Sequence, residues 1–317
     1  MKKKLVAALV IGAVACSLLA TLVVAARVGK GLGAGRGRGS VAVVHLSGTI
    51  VSGRASPFLS GLVGAEEVAQ RLRQAARDPE VRAVVLRLNS PGGTAAGAQE
   101  IAREVDRLRQ AGKKVVASMG DAAASGAYWI ASRADKVVAN PGTLTGSIGV
   151  IIQVQDLQGL YSKLGIATRT FKSGPHKDMG SPSRPVTPEE ESIFQGMVED
   201  IYAQFVQAVA EGRRMDPAHV RKLADGRVFT GRQAKELGLV DELGDLREAI
   251  RLAGELSGLG PDPPVSELAP RRLIPEIFLD ALFPGKPSGL YPAPGTAIWL
   301  VAPPCLPPAQ QFYEPSR

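Results

Sequence analysis

The sequence predicts an α/β domain of repeated, parallel βαβ units, preceded by one N-terminal transmembrane helix. Three observations predict it. From residue 41 onward, short β-branched runs alternate with amphipathic helical stretches, the pattern of a parallel sheet covered by helices. Residues 5–26, LVAALVIGAVACSLLATLVVAA, carry no charge, and a helix of that length spans a hydrocarbon core of ~30 Å. Charge is also segregated. The net +8 of the 317 residues owes seven basic side chains to the first 38 positions, and no acid precedes Glu66. The remaining body is nearly neutral, which excludes the basic face that nucleic-acid binding requires.

The elements follow in order. Residues 1–4, MKKK, abut the apolar span directly, while Arg27, Lys30, Arg36 and Arg38 are diluted by glycine over the linker 27–40. The positive-inside rule then leaves residues 1–4 in the cytoplasm, 5–26 as the anchor and the bulk of the chain outside. Two other fates of the apolar segment stay open: signal cleavage at its Ala-rich end, and lipid attachment at Cys16. Cys16 and Cys305 flank the domain, so no disulfide framework is expected between them.

The domain itself is expected over 41–256. VAVVHL (41–46), VRAVVLRLN (81–89) and KKVVASMG (113–120) read as buried strands, with helices over 65–78 and 96–112 between them. A long helix over 187–215 opens with a capping Thr187 and acids in its first turn. Short helices and turns fill 224–256. From 257 to 317 proline punctuates the chain, so this tail is expected to be irregular.

The chemistry-bearing residues are few. His45, His176 and His219 are the only histidines, and none stands in a recognisable nucleophile context. CxxC, HExxH and GxxxxGK[ST] patterns are absent, so neither a metal nor a phosphate-bearing cofactor is expected. Three segments remain. LNSPGG (88–93) is a strand end and glycine turn able to present backbone N–H groups; it reads equally as a tight strand-to-helix connection. In DAAASGAYWI (121–130) a helix begins around Ser125, either as a nucleophile or as an ordinary helix cap. TFKSGPHKDMGSPSRPVT (170–187) carries Lys172 and Lys177, either of which is a solvated loop lysine unless burial lowers its pKa.

Four ordered segments, LNSPGG, ASGAYWIASRADKVVANPGTLTGSIGV, FKSGPHKDMGSPSRPVTPEE and DGRVFTGRQAKELGLVDELG, resemble the bacterial signal peptide peptidase A family. The resemblance covers about 41–255. It implies membrane-anchored Ser/Lys peptidases with the ββα superhelix of the Clp protease and crotonase superfamily. It also implies Ser125 as nucleophile, Lys177 rather than Lys172 as general base, and Ser147 as the residue orienting that lysine. The Gly93 N–H is implied as an oxyanion donor, with Gly126 N–H as the second. Asp121 departs from the neutral residue often found there. The resemblance further implies remnant signal peptides as substrates, no cofactor, and a homo-oligomeric ring of eight protomers at the cytoplasmic membrane that draws Ser and Lys of each site from neighbouring chains. Two rivals remain: a crotonase-like acyl-CoA enzyme, and a non-catalytic membrane scaffold of the same fold.

Overall fold

The computed structural model describes residues 39–55, 61–268 and 299–301. The predicted span 5–26 lies outside these residues, and no helix among the described residues is long and apolar enough to cross a membrane. Every element below belongs to one unit, Ser40–Arg317.

The main sheet grows from three long strands, β1 (Ser40–Ser47), β4 (Val81–Ser90) and β6 (Lys114–Ala124), which pair in parallel with β1 beside β4 and β4 beside β6. Their near-continuous burial reflects helices on both faces. On one face lie α1 (Ala65–Arg77) and α2 (Ala95–Gln110), where Leu72, Ile101 and Leu108 pack with Leu86 and Leu88. The opposite face of Val41, Val43, Val85 and Val116 is covered by Ala249, Leu252 and Ala253 of α8 (Leu246–Leu256). Flanking strands β7 (Lys136–Ala139) and β10 (Glu242–Leu243) extend the parallel order beyond β6.

A second, smaller sheet is set by short strands that follow the long ones. β2 (Thr49–Val51) pairs in parallel with β3 (Leu62–Gly64) and with β5 (Gly92–Thr94). The order of elements is therefore a long strand, one or two short strands of the second sheet, then a helix, twice over: β1, β2, β3, α1 and β4, β5, α2.

Beyond residue 257 the sequence reading expected irregular chain, yet two short strands there join sheets. β11 (Val265–Glu267) runs parallel to β1, and β12 (Trp299–Val301) runs antiparallel to β5. Both sit on sheet edges, where a partner's unpaired backbone groups recruit a strand that local sequence does not specify.

The feature that places the site is a break in β6. Through Met119 this strand pairs residue by residue with β4, but Ser90 then pairs with Ala123, so β6 carries extra residues. Asn89 absorbs the bulge, its Oδ1 accepting from the Asp121 and Ala122 N–H groups at 3.1 and 3.2 Å. Past the bulge β6 leaves β7 and pairs with β8 (Leu144–Gly146), which is antiparallel to β9 (Val228–Thr230). The extra residues bend the strand, as bulges do.

Candidate active site

At the end of the bent β6 the chain turns into α3 (Gly126–Ser132), and Ser125 is the junction. Its backbone holds φ 54° and ψ −121°, a conformation that costs an L-residue roughly 1–3 kcal/mol. Two bonds enforce it: Ser125 N–H donates to Gly146 O at 2.8 Å, and Trp129 N–H donates to Ser125 O at 2.9 Å. α3 is anchored in turn by the stack of Trp129 on Phe205, centroids 4.7 Å apart, and by the Tyr128 hydroxyl donating to Leu239 O at 2.9 Å.

The Ser125 side chain is buried, yet its Oγ has no hydrogen-bond partner among the described residues. An unpaired buried hydroxyl costs about 1–3 kcal/mol, so this one calls for an explanation. A strained strand-to-helix junction can present a serine hydroxyl as a nucleophile once a base reaches it.

Beside it lie the glycines. A Cβ on Gly126 would stand 3.4 Å from Gly93 N and 3.2 Å from the Ala98 methyl, so the two predicted donors are neighbours. At Gly93 a Cβ would fall 2.0 Å from Ile50 O, which leaves no room for any side chain. Gly92 adopts φ 111°, and its N–H donates to Ser90 Oγ at 3.1 Å. The small residues of NSPGG and AAASGA thus let two backbones approach each other at the serine.

Ser147 joins this group through Gly146, whose carbonyl receives the Ser125 N–H. Ser147 is buried at φ 50°, its N–H donating to Arg227 O at 2.8 Å, and its hydroxyl has no partner among the described residues. Lys177 is different. It lies exposed in the turn-rich stretch 173–183, and among the described residues it has no ion pair or side-chain hydrogen bond, with Ser125 or any other. Lys172 instead donates to Asp178 Oδ1 at 2.7 Å and to Pro175 O at 2.8 Å.

The histidines lie elsewhere. His45 pairs with Glu267 at 3.0 Å, His176 approaches Glu189 at 3.5 Å, and His219 sits in α6 (Pro217–Leu223). Among the described residues no group of three His, Cys, Asp or Glu side chains is placed to ligate a metal. Asp121 is exposed at the bulge, 3.4 Å from Asn89 Nδ2.

Two residues escaped the sequence reading. Asn89, a polar side chain ending an apolar strand, was legible as an anomaly in LRLNS. Arg184 gave no local signal, because its partners, Asp178 and Glu190, become partners only when the loop folds back.

The family model described as Peptidase family S49 matches residues 107–260. A putative protease of Synechocystis sp. is 42% identical over 225 residues, 71% of this chain and 77% of that protein. Protease 4 of Salmonella typhi is 40% identical over 221 residues, 70% of this chain but only 35% of that protein. A putative signal peptide peptidase SppA of Enterococcus faecium is 42% identical over 180 residues, 57% of this chain and 52% of that protein.

Proposed function

This chain belongs to the S49 family of serine-type peptidases, and from that premise we propose that it is a membrane-anchored endopeptidase working through a Ser125–Lys177 dyad. The observation that carries the reading is the Ser125 hydroxyl: buried, unpartnered, held at a strained junction and flanked by the Gly93 and Gly126 backbones.

In the reaction, neutral Lys177 takes the Ser125 proton as Oγ attacks the peptide carbonyl. The Gly93 and Gly126 amides stabilise the oxyanion, and Ser147 orients the lysine. The amine leaves with the proton from Lys177, and water then cleaves the acyl-enzyme. The proton transfer requires the lysine in its neutral form.

Lys177 reaches Ser125 from a neighbouring copy of the chain. Two features support this: the free Ser125 Oγ, and an exposed Lys177 arm rich in apolar surface at Leu160, Leu164, Ile166 and Phe171, the last 94% exposed. We extend the proposal to a ring, with eight protomers as the resemblance implies. The twice-repeated order of long strand, one or two short strands and helix supports a Clp- and crotonase-like ββα superhelix.

Substrate enters extended and pairs with β5 as an added strand. The antiparallel pairing of Trp299–Val301 with Gly92–Thr94 supports this, because that edge accepts a strand. Remnant signal peptides in the bilayer fit a domain tethered outside the cytoplasmic membrane by residues 5–40, with residues 1–4 inside.

The test is peptide hydrolysis by the full chain. Ser125→Ala and Lys177→Ala should each abolish turnover, and mixing the two inactive chains should restore part of it. Wild-type rates in either variant would refute the dyad; a dead mixture with verified subunit exchange would refute the shared site.

A further inference from the structure

Lys177 occupies a stretch with no strand or helix to hold it, whereas a catalytic group must be fixed to within ~0.5 Å. The residues on either side of it are held by one helix. On one side, His176 Nε2 lies 3.5 Å from Glu189 Oε1. On the other, Asp178 is gripped by Arg184, whose Nε donates to Oδ2 at 3.0 Å and whose Nη2 donates to Oδ1 at 2.8 Å. The same guanidinium donates to Glu190 Oε1 and Oε2 at 2.6 and 2.9 Å and to Pro185 O at 3.0 Å.

Glu189 and Glu190 form the first turn of α5 (Pro188–Arg213). Glu190 is buried and locked in a capping box, accepting from Thr187 N–H at 3.1 Å while its own N–H donates to Thr187 Oγ1 at 3.2 Å. Fifteen residues further along α5, Phe205 stacks on Trp129 of α3, the helix that starts at Ser125. Named contacts thus run unbroken from the backbone of Lys177 through Asp178, Arg184 and Glu190 to α5 and on to α3, which ties the lysine to the folded core of its own chain.

We infer that Arg184 is the positioning residue for Lys177, its guanidinium fork clamping Asp178 onto the N-terminus of α5 and neutralising the charge beside the lysine. This rests on Lys177 being the general base. Only arginine suits the place, since two carboxylates are bound at once and a lysine would serve them as a single point charge.

The charge argument is separate from the geometric one. The charged and titratable groups of the ion pairs that hold the residues flanking Lys177 are Lys172, His176, Asp178, Arg184, Glu189 and Glu190. An unpaired carboxylate beside a lysine favours the ammonium form. With Arg184 and Lys172 both on Asp178, that carboxylate is neutralised and does not oppose the neutral base.

The test is a pH–rate profile of the full chain and its variants, with folding followed by thermal melting. Arg184→Met should lower kcat by ~100-fold, the cost of a misplacement of about 1 Å, with KM near wild type. It should also move the rise of activity to higher pH. Arg184→Lys, which keeps the charge and loses the fork, should lower kcat and leave the rise in place. Arg184→Met with Asp178→Asn should return the rise to its wild-type pH without restoring kcat.

Wild-type kcat in the folded Arg184 variants would overturn the clamp, as would activity that falls only with the folded fraction while the pH of the rise stays fixed. If Arg184→Met does not fold, Arg184→Lys and Asp178→Asn carry the same decision through kcat. Lys177→Ala separates this inference from the one beneath it. An active Lys177→Ala refutes the base itself, while a dead Lys177→Ala beside a fully active Arg184→Lys refutes only the clamp.

Discussion

Single residues at this site are explained by what cannot replace them. Gly93 tolerates no side chain, since a Cβ would meet Ile50 O at 2.0 Å. Gly93→Ala should therefore destabilise the domain by about 1–3 kcal/mol and displace the β5 amide, so kcat should fall further than stability explains. Denaturant melts beside turnover measurements check this. Asn89 serves the bulge, and Asn89→Leu leaves the Asp121 and Ala122 N–H groups without their acceptor. Both bonds lie where water reaches, so the loss should be only about 0.5–1.5 kcal/mol each. Gly93 could be singled out in the sequence because a glycine pair after a strand permits a tight turn and a close backbone approach. Asn89 stands out only as a polar residue ending an apolar strand, and its role is not legible there because it exists only where β4 and β6 fall out of register.

At the scale of elements, the decisive contact is α3 on α5. Phe205→Ala removes the stack on Trp129 and should cost about 3–5 kcal/mol, read as a lowered denaturant midpoint. The N-terminus of α5 has its own pH signature. Arg184 holds the Glu190 carboxyl down to about 2 from its ordinary 4.5, and holds Asp178 lower still. Lowered carboxylate pKa values mean stability that is complete above about pH 4.5 and lost as pH falls toward 2. Acid unfolding should begin in the 173–190 stretch, and hydrogen exchange there at pH 3 should outpace that of β4. The edge of β5 carries another prediction. Trp299–Val301 occupies the edge proposed for the substrate strand, so on that proposal truncation after residue 298 should lower KM and leave kcat intact. An unchanged KM would show that peptides bind elsewhere. The long strands and helices were legible because burial on both faces writes apolar runs into the chain. β11 and β12 were not, since they exist by borrowing the edges of β1 and β5.

For the whole molecule, the pattern of strands and helices was sufficient for a parallel α/β class, and four ordered segments were sufficient for the family. Those signals are local: each depends on the periodicity or spacing of residues a few positions apart. The residues alone pointed to Ser125, the Gly92–Gly93 turn and the pair Lys172 and Lys177, and the family resemblance narrowed these to Ser125, Gly93, Gly126, Ser147 and Lys177. Only the tertiary structure decided which of them meet. It brings Ser125, Gly93, Gly126 and Gly146–Ser147 together through the bend in β6, and it leaves Lys177 exposed on an arm anchored by Arg184. The physical reason is that register, bulges and ion pairs across a folded loop are set by partners distant in sequence. No local pattern encodes a hydroxyl left without a partner.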